Sequence, residues 1–413
     1  TLKDRDGFIW FGTWYGLCCF DGVKFKTFNK QEHDSDVPPR KIQRIVEDKN
    51  GYIWVKTIDR KLYVFNKVTE CFHAVYDDMK NYSENIQVIK LQNTAEGDVL
   101  LLTKDKNLLL AGVDEKGQVT IKILFDSRNE INKHDYTLKH HVLCETEEYI
   151  SWIGTDYKVA AVHKGSELAS RPADFITSKI NSGDKDSFTS FFEDGRKVWV
   201  GDRAGIFYSI DVRTGLVNRY VLSEIKGAIS NLLVTPAGYV YLSVAGQGTY
   251  EYDLAERRLQ KINTEMNDAM VTHAFIDQYD KIWFHENEKA LIYYDPLNHT
   301  AKRFPFTMFG KITTLYSEDA GERGLFFLSP AGEAWLFDRE HAEMVYINKL
   351  KQLSNDRANQ QFYHLMLDND GVLWLSSADE GVYCMNFPKK QFNLLSLSPQ
   401  SVGQENYATG VRA

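Results

Sequence analysis

The chain has 413 residues, 43% of them hydrophobic and 26% charged, with 49 Lys and Arg against 57 Asp and Glu and a formal net charge of −8. That composition can bury a large core, which excludes a disordered chain, and its acidic balance argues against a nucleic-acid partner. No run of 18 apolar residues occurs. The five cysteines (18, 19, 71, 144 and 384) show no CxxC spacing, so neither a zinc site nor a disulfide framework is signalled. The opening at Thr1 among charged residues reads as a mature protein or an excised piece.

In chain order, one motif keeps returning. DGFIWFGTWYGL at 6–17 is followed by NGYIWVKTIDRKL at 50–62, EGDVLLLTKDKNL at 96–108 and EYISWIGTDYKV at 148–159. GRKVWVGDRAGI at 195–206, AGYVYLSVAGQG at 237–248, YDKIWFHENEKAL at 279–291, ERGLFFLSPAGEA at 322–334 and DGVLWLSSADEGV at 370–382 continue it. The anchors are Trp10, Trp54, Leu100, Trp152, Trp199, Tyr241, Trp283, Phe326 and Trp374, at a mean spacing of 45.5 residues.

A second marker lies 12 positions before the anchor: Ile42, Ile229, Val271 and Phe362. Asp-Gly and Asn-Gly turns separate marker from anchor, and further short strands such as LYVF at 62–65 and IFYSI at 206–210 follow it. Each period therefore predicts four short antiparallel strands. The fold class is all-β, a β-propeller of four-stranded blades spanning 1–390, with nine blade-length repeats and seven to nine blades in the ring. Leu100 and Phe326 mark the two degenerate copies that are candidates for insertions or for positions outside the ring. Gly12, Gly154 and Gly201 mark close backbone approach. Residues 391–413 are expected to form a connection and the opening strand of a next repeat. GVRA at 410–413 has the form of that strand and is suited to completing the first blade, whose own opening strand is not apparent.

DRDGFIWFGTWYGLCCFDGVKFKTF at 4–28 resembles the first two-component regulator propeller repeat of hybrid two-component sensors, the glycan-responsive type of gut bacteria. RKIQRIVEDKNGYIWVKTIDRKLYVFNKVTECF at 40–72 is similar to that family's second repeat. The resemblance implies a periplasmic ectodomain of an inner-membrane receptor that senses an oligosaccharide and signals to a histidine kinase. A second propeller of the same chain and a homodimeric full-length receptor are the other implied partners. The matching residues are structural, and no ligand-binding residue is carried over.

The chain's own chemistry points to no enzyme. No nucleophile elbow, Walker loop, dinucleotide fingerprint or HExxH motif occurs, so no catalytic residue and no cofactor is expected. The DxDG turns at Asp4 and Asp368 hint at calcium but run straight into strands without an EF-hand framework. His134, His140 and His141 lack spaced partners for zinc. Cys18 and Cys19 should face opposite sides of a strand as core residues. No metal site is assigned. A propeller glycosidase or polysaccharide lyase, and a purely structural or dimerising propeller, remain the alternatives.

Binding residues are expected where turns vary. The turns between second and third strands, with the blade-to-blade connections, share one face. They carry Trp14, Tyr15, Asp59, Arg60, Tyr157 and Arg203, with the connections around 29–41, 126–141 and 348–361. These are the candidate ligand-binding residues, aromatic planes beside Arg and Asp being suited to sugar rings and hydroxyls. Trp335 also stands out of phase.

Overall fold

The computed structural model describes residues 1–29, 36, 38–82, 84–127, 138–146, 148–154, 158–165, 175–179, 188–262, 271–286, 289–309, 316–319, 321, 324–329, 333–349, 362–368, 370–377, 381–386 and 391–395. Their strands form nine four-stranded antiparallel sheets, each ordered as the chain runs. The sheets span 2–28 (I), 42–74 (II), 88–125 (III), 138–179 (IV), 188–221 (V), 229–261 (VI), 271–305 (VII), 316–349 (VIII) and 362–395 (IX). One helical turn, Tyr76–Met79, and one 3-10 turn, Phe306–Phe309, are the described helices. Repeated four-stranded meanders packed face to face are the blades of a β-propeller.

The strands form because their residues alternate between two buried faces. In Ile53–Thr57 every residue is buried, as a strand sandwiched between neighbouring sheets requires. Trp10, Trp54, Trp152, Trp199, Trp283 and Trp374 all lie in second strands, and none is more than 6% exposed. Leu100 and Phe326 are buried in second strands too, so both degenerate copies are complete sheets. An aliphatic or phenyl anchor fills the same position without the indole's polar atom.

The chain divides into two compact units. One holds residues 1–126 and 314–413, hence sheets I, II, III, VIII and IX; the other holds 127–313, hence sheets IV to VII. In the first unit, Trp10, Ile42 and Phe65 join sheets I and II, while Trp54, Val88 and Leu101 join II and III. Phe11, Phe20 and Trp374 join the first sheet to the last, and Phe326 and Leu373 join VIII to IX. In the second unit the same packing runs IV–V–VI–VII through Ala161 and Tyr208, Trp199 and Leu242, and Tyr241 and Ile292.

Two sequence signals are halves of one contact. A Cβ added to Gly12 would stand 2.4 Å from Ile42 Cγ2, and one on Gly201 would stand 2.8 Å from Ile229 Cβ. The markers Ile42 and Ile229 thus seat on the glycines two residues after the preceding tryptophans, Trp10 and Trp199.

Two terminal expectations are corrected. Sheet I has its own opening strand, Leu2–Lys3, pairing Leu2 with Trp10 and Lys3 with Ile9. Two residues give no periodic signal; Leu2 packs into the sheet I–II core, and Lys3 pairs with Asp368 at 3.6 Å. Gln391–Leu395 is the fourth strand of sheet IX rather than connection. Residues 396–413, GVRA included, lie outside the described residues.

Candidate functional site

The turns between first and second strands are built to hold the core. Asp4 Oδ1 accepts from the N–H groups of Asp6 (3.0 Å) and Phe8 (2.8 Å), and its Oδ2 accepts from Trp10 Nε1 at 2.8 Å. The device repeats: Trp54 Nε1 donates to Asp48 (2.8 Å), Trp199 to Asp194 (2.8 Å), Trp283 to Asp277 (3.1 Å) and Trp374 to Asp368 (2.9 Å). One carboxylate oxygen fixes the turn, and the other satisfies a buried indole N–H. Thr94, below Leu100, and Thr235, below Tyr241, keep only the turn bond, from Asp98 N–H (3.1 Å) and Tyr239 N–H (3.2 Å).

The DxDG carboxylates are therefore engaged. Asp4, Asp6 and Glu47 do lie close together, but Lys67 Nζ sits among them at 3.0, 2.6 and 2.8 Å. Burial opposes the lysine's charge, yet its bonds to Asp6, Glu47 and Asp4 prevail and push its pKa up. Cys18 packs toward sheet IX and Cys19 toward sheet II, on opposite faces of Leu17–Phe20. Burial pushes both thiols up, Cys19 to about 12 with Asp4 adding to it, so neither is a ready nucleophile. His140 and His141 fall in the strand Leu138–Glu145, and His134 lies outside the described residues.

The turns between second and third strands behave differently. Thr13 Oγ1 closes the first on Gly16 O (2.7 Å), leaving Trp14 and Tyr15 exposed at its tip. Lys41 N–H donates to Trp14 O (3.0 Å), its ammonium lies 5.3 Å from the Trp14 ring centroid, and Lys41 O accepts from Ile58 N–H (2.9 Å). That path leads to Asp59 and Arg60. Thr57 Oγ1 donates to Asp59, and Lys61 pairs with it at 3.3 Å. These bonds, the threonine's first, hold the Asp59 carboxyl below its ordinary value and keep it ionised.

Arg60 has a left-handed backbone, φ 66°, and its carbonyl accepts from Val88 N–H at 2.9 Å. Asp59 and Arg60 edge a cavity of about 580 Å³ between the third strand of sheet II and the segment leading to sheet III. Tyr63, Val75, Tyr76, Met79 and Ile86 give it an apolar wall; Lys61, Glu84, Asn85 and Gln87 give it polar groups. The segment is pinned from below, since Asp105 accepts from the N–H groups of Glu84 (3.1 Å) and Asn85 (3.3 Å). Met79 is buried, while Tyr76 stays exposed with Lys80 Nζ 4.9 Å from its ring centroid. The size and the mix of aromatic and hydrogen-bonding groups suit a small organic ligand.

Of the six sequence-expected residues, the structure sets Asp59 and Arg60 on this cavity. Trp14 and Tyr15 lie on the neighbouring turn and do not line it. Arg203 sits exposed in the turn that Asp202 Oδ1 fixes through Ala204 and Ile206 N–H groups, in the other unit. Tyr157 lies outside the described residues. Trp335 is core, edge-on to Tyr346 at 4.8 Å. The sequence reading missed Tyr76, Met79, Asn85 and Gln87. Its available signal was the connection 75–87, as long as 29–41 and carrying two tyrosines and two asparagines.

No family model matches the chain, and no curated protein matches it. Among solved structures, it is similar to the extracellular domain of BT4673 from B. thetaiotaomicron, attributed to a hybrid two component system, at 13% identity and a TM-score of 0.40. That match covers 98% of this chain and 65% of the other, so the chain spans under two thirds of that domain. BamB from Moraxella catarrhalis matches at 13% identity and TM-score 0.43, covering 86% of this chain and 94% of that one. Streptogramin B lyase matches at 12% and 0.42, covering 84% and 92%. An extracellular domain and a lyase stand side by side here, so the likeness assigns no activity. Among the described residues, no helix is long and apolar enough to cross a membrane.

Proposed function

We propose that the chain is the ligand-recognising part of an extracytoplasmic receptor of the hybrid two-component type, and that its ligand is an oligosaccharide. The observation that carries this reading is the cavity beside Asp59 and Arg60, whose lining combines two tyrosines with a guanidinium, two carboxylates and two side-chain amides. Sugar rings offer C–H faces for stacking and hydroxyls for directional hydrogen bonds, which this set of groups matches. The sequence resemblance of residues 4–72 to sensor propeller repeats supports the same reading. Periplasmic placement, a second propeller, a homodimeric receptor and signalling to a histidine kinase belong to the proposal.

Calorimetric titration of a glycan panel tests it. One member should bind the wild-type chain without being cleaved. Arg60→Ala and Tyr76→Ala should each weaken it by about tenfold or more, equivalent to about 1.4 kcal/mol. Arg203→Ala should leave it unchanged. Equal binding by all four proteins, or turnover of the glycan, contradicts the reading.

A further inference from the structure

The turns joining second to third strands in sheets II and III share one construction. In sheet II, Thr57 N–H donates to Lys61 O (3.0 Å), while Thr57 Oγ1 accepts from Lys61 N–H (3.0 Å) and donates to Asp59 Oδ1. In sheet III, Thr103 N–H donates to Asn107 O (3.0 Å), while Thr103 Oγ1 accepts from Asn107 N–H (3.1 Å) and donates to Asp105 Oδ1. Arg60 and Lys106 take the same left-handed place, at φ 66° and 70°. The connections entering the two sheets align as well. Ile42 pairs with Thr57 and Val88 with Thr103, and the residue before each accepts from the turn. Ile58 N–H donates to Lys41 O (2.9 Å), and Lys104 N–H donates to Gln87 O (2.8 Å).

Within this shared frame the outer oxygens of the two aspartates have different partners. Asp105 Oδ2 accepts from two consecutive backbone N–H groups, those of Glu84 (3.1 Å) and Asn85 (3.3 Å), four and three residues before Val88. The residues four and three before Ile42 are Pro38 and Pro39, which have no N–H to give. Asp59 Oδ2 is paired instead with Lys61 Nζ at 3.3 Å, between side chains 60% and 66% exposed. A pair so open to water holds its members weakly. Asp59 lines the cavity, so a ligand there meets the oxygen that the chain itself occupies in sheet III.

We infer that Asp59 selects the hydroxyl pattern of the ligand, its outer oxygen taking two hydroxyls on adjacent carbons of a sugar ring as that of Asp105 takes two consecutive N–H groups. The inference rests on the proposed glycan reading and deepens it. An ionised carboxylate only accepts, and each of its oxygens has room for two donors. Thr57 holds the inner oxygen, so the carboxylate is oriented before a ligand arrives. Hydrogen bonds to a charged acceptor are the stronger kind, and a sugar lacking one of the two hydroxyls forgoes one of them.

Calorimetry with neutral disaccharides of glucose, galactose, mannose, xylose and arabinose supplies a parent compound, and derivatives of it lacking one hydroxyl at a time supply the test. Asp59→Asn keeps an acceptor for Thr57 and can place an amide NH2 where the outer oxygen stood. It should weaken the parent by about tenfold or more and leave the urea-denaturation midpoint near that of wild type. Two derivatives, lacking one or the other of two adjacent hydroxyls, should each bind wild type several-fold more weakly and lose little further in Asp59→Asn. A substitution that only disturbed the turn would weaken the parent and every derivative alike, and that result overturns the inference. Coupling of Asp59 to a single hydroxyl, or to two on non-adjacent carbons, overturns it too. Parent binding unchanged in Asp59→Asn but weakened in Arg60→Ala and Tyr76→Ala would refute this inference and leave the glycan reading standing. Binding by none of these disaccharides also refutes it, while the glycan reading is then decided by the wider panel.

Discussion

Trp54→Ala is expected to lower the unfolding free energy by about 3–5 kcal/mol, the range for emptying a large aromatic core site. Asp48→Ala should cost nearly as much, about 2–4 kcal/mol, although it removes few packing atoms. Asp48 is 1% exposed and holds four donors: the N–H groups of Asn50 (3.0 Å) and Tyr52 (3.0 Å), Trp54 Nε1 (2.8 Å), and Val113 N–H across to sheet III (3.2 Å). Alanine leaves all four without that acceptor, two of them buried. Asp48→Asn keeps one carbonyl oxygen and should fall between alanine and wild type. Urea denaturation followed by tryptophan fluorescence reads the series. An Asp48→Ala loss under 1 kcal/mol would mean that the carboxylate shapes a turn and nothing more.

This pairing also shows how far the sequence could be read. The tryptophans and the Asp-Gly turns were both legible, but as separate signals of packing and turn geometry. Their common spacing, an aspartate six residues before Trp10, Trp54, Trp283 and Trp374 and five before Trp199, is visible in the sequence. What it does not reveal is that one carboxylate serves turn and indole together, because that depends on where the strand carries the ring. The glycine–marker contact was hidden in the same way, since Gly12 and Ile42 come from different periods. Turn residues Asp59 and Arg60 were singled out by their variability. Tyr76 and Met79 were not, because a single helical turn inside a connection has too few residues to show a period. Trp14 and Tyr15, chosen by the same logic as Asp59, occupy an equivalent turn and do not line the cavity.

The second large effect runs in the opposite direction. Lys56→Met should raise stability at pH 7 by roughly 1–2 kcal/mol. The lysine's folded pKa is pushed down to about 8 by burial and by Arg60 and Arg44, whereas in the unfolded chain a lysine titrates near 10.4. Between those values the unfolded state binds more protons, so wild-type stability should rise with pH from about 8 to 10.4; below about 8 the full penalty is present. Methionine keeps the buried stem and removes the charge, while losing the bonds to Gln43 Oε1 and Ile89 O, which reduces the gain. The variant's stability curve should therefore lie above wild type at pH 7 and lack the rise above pH 8. A less stable variant that retains the rise would assign it to other groups.

The central claim is that the blades present a ligand cavity between the third strand of sheet II and the segment leading to sheet III. Amide hydrogen exchange, with and without the glycan that calorimetry selects, measures this directly. The account predicts slowed exchange in residues 59–63 and 74–88, with residues 21–24 and 202–205 unchanged. A panel from which nothing binds, or slowing confined to those last two turns, would contradict it.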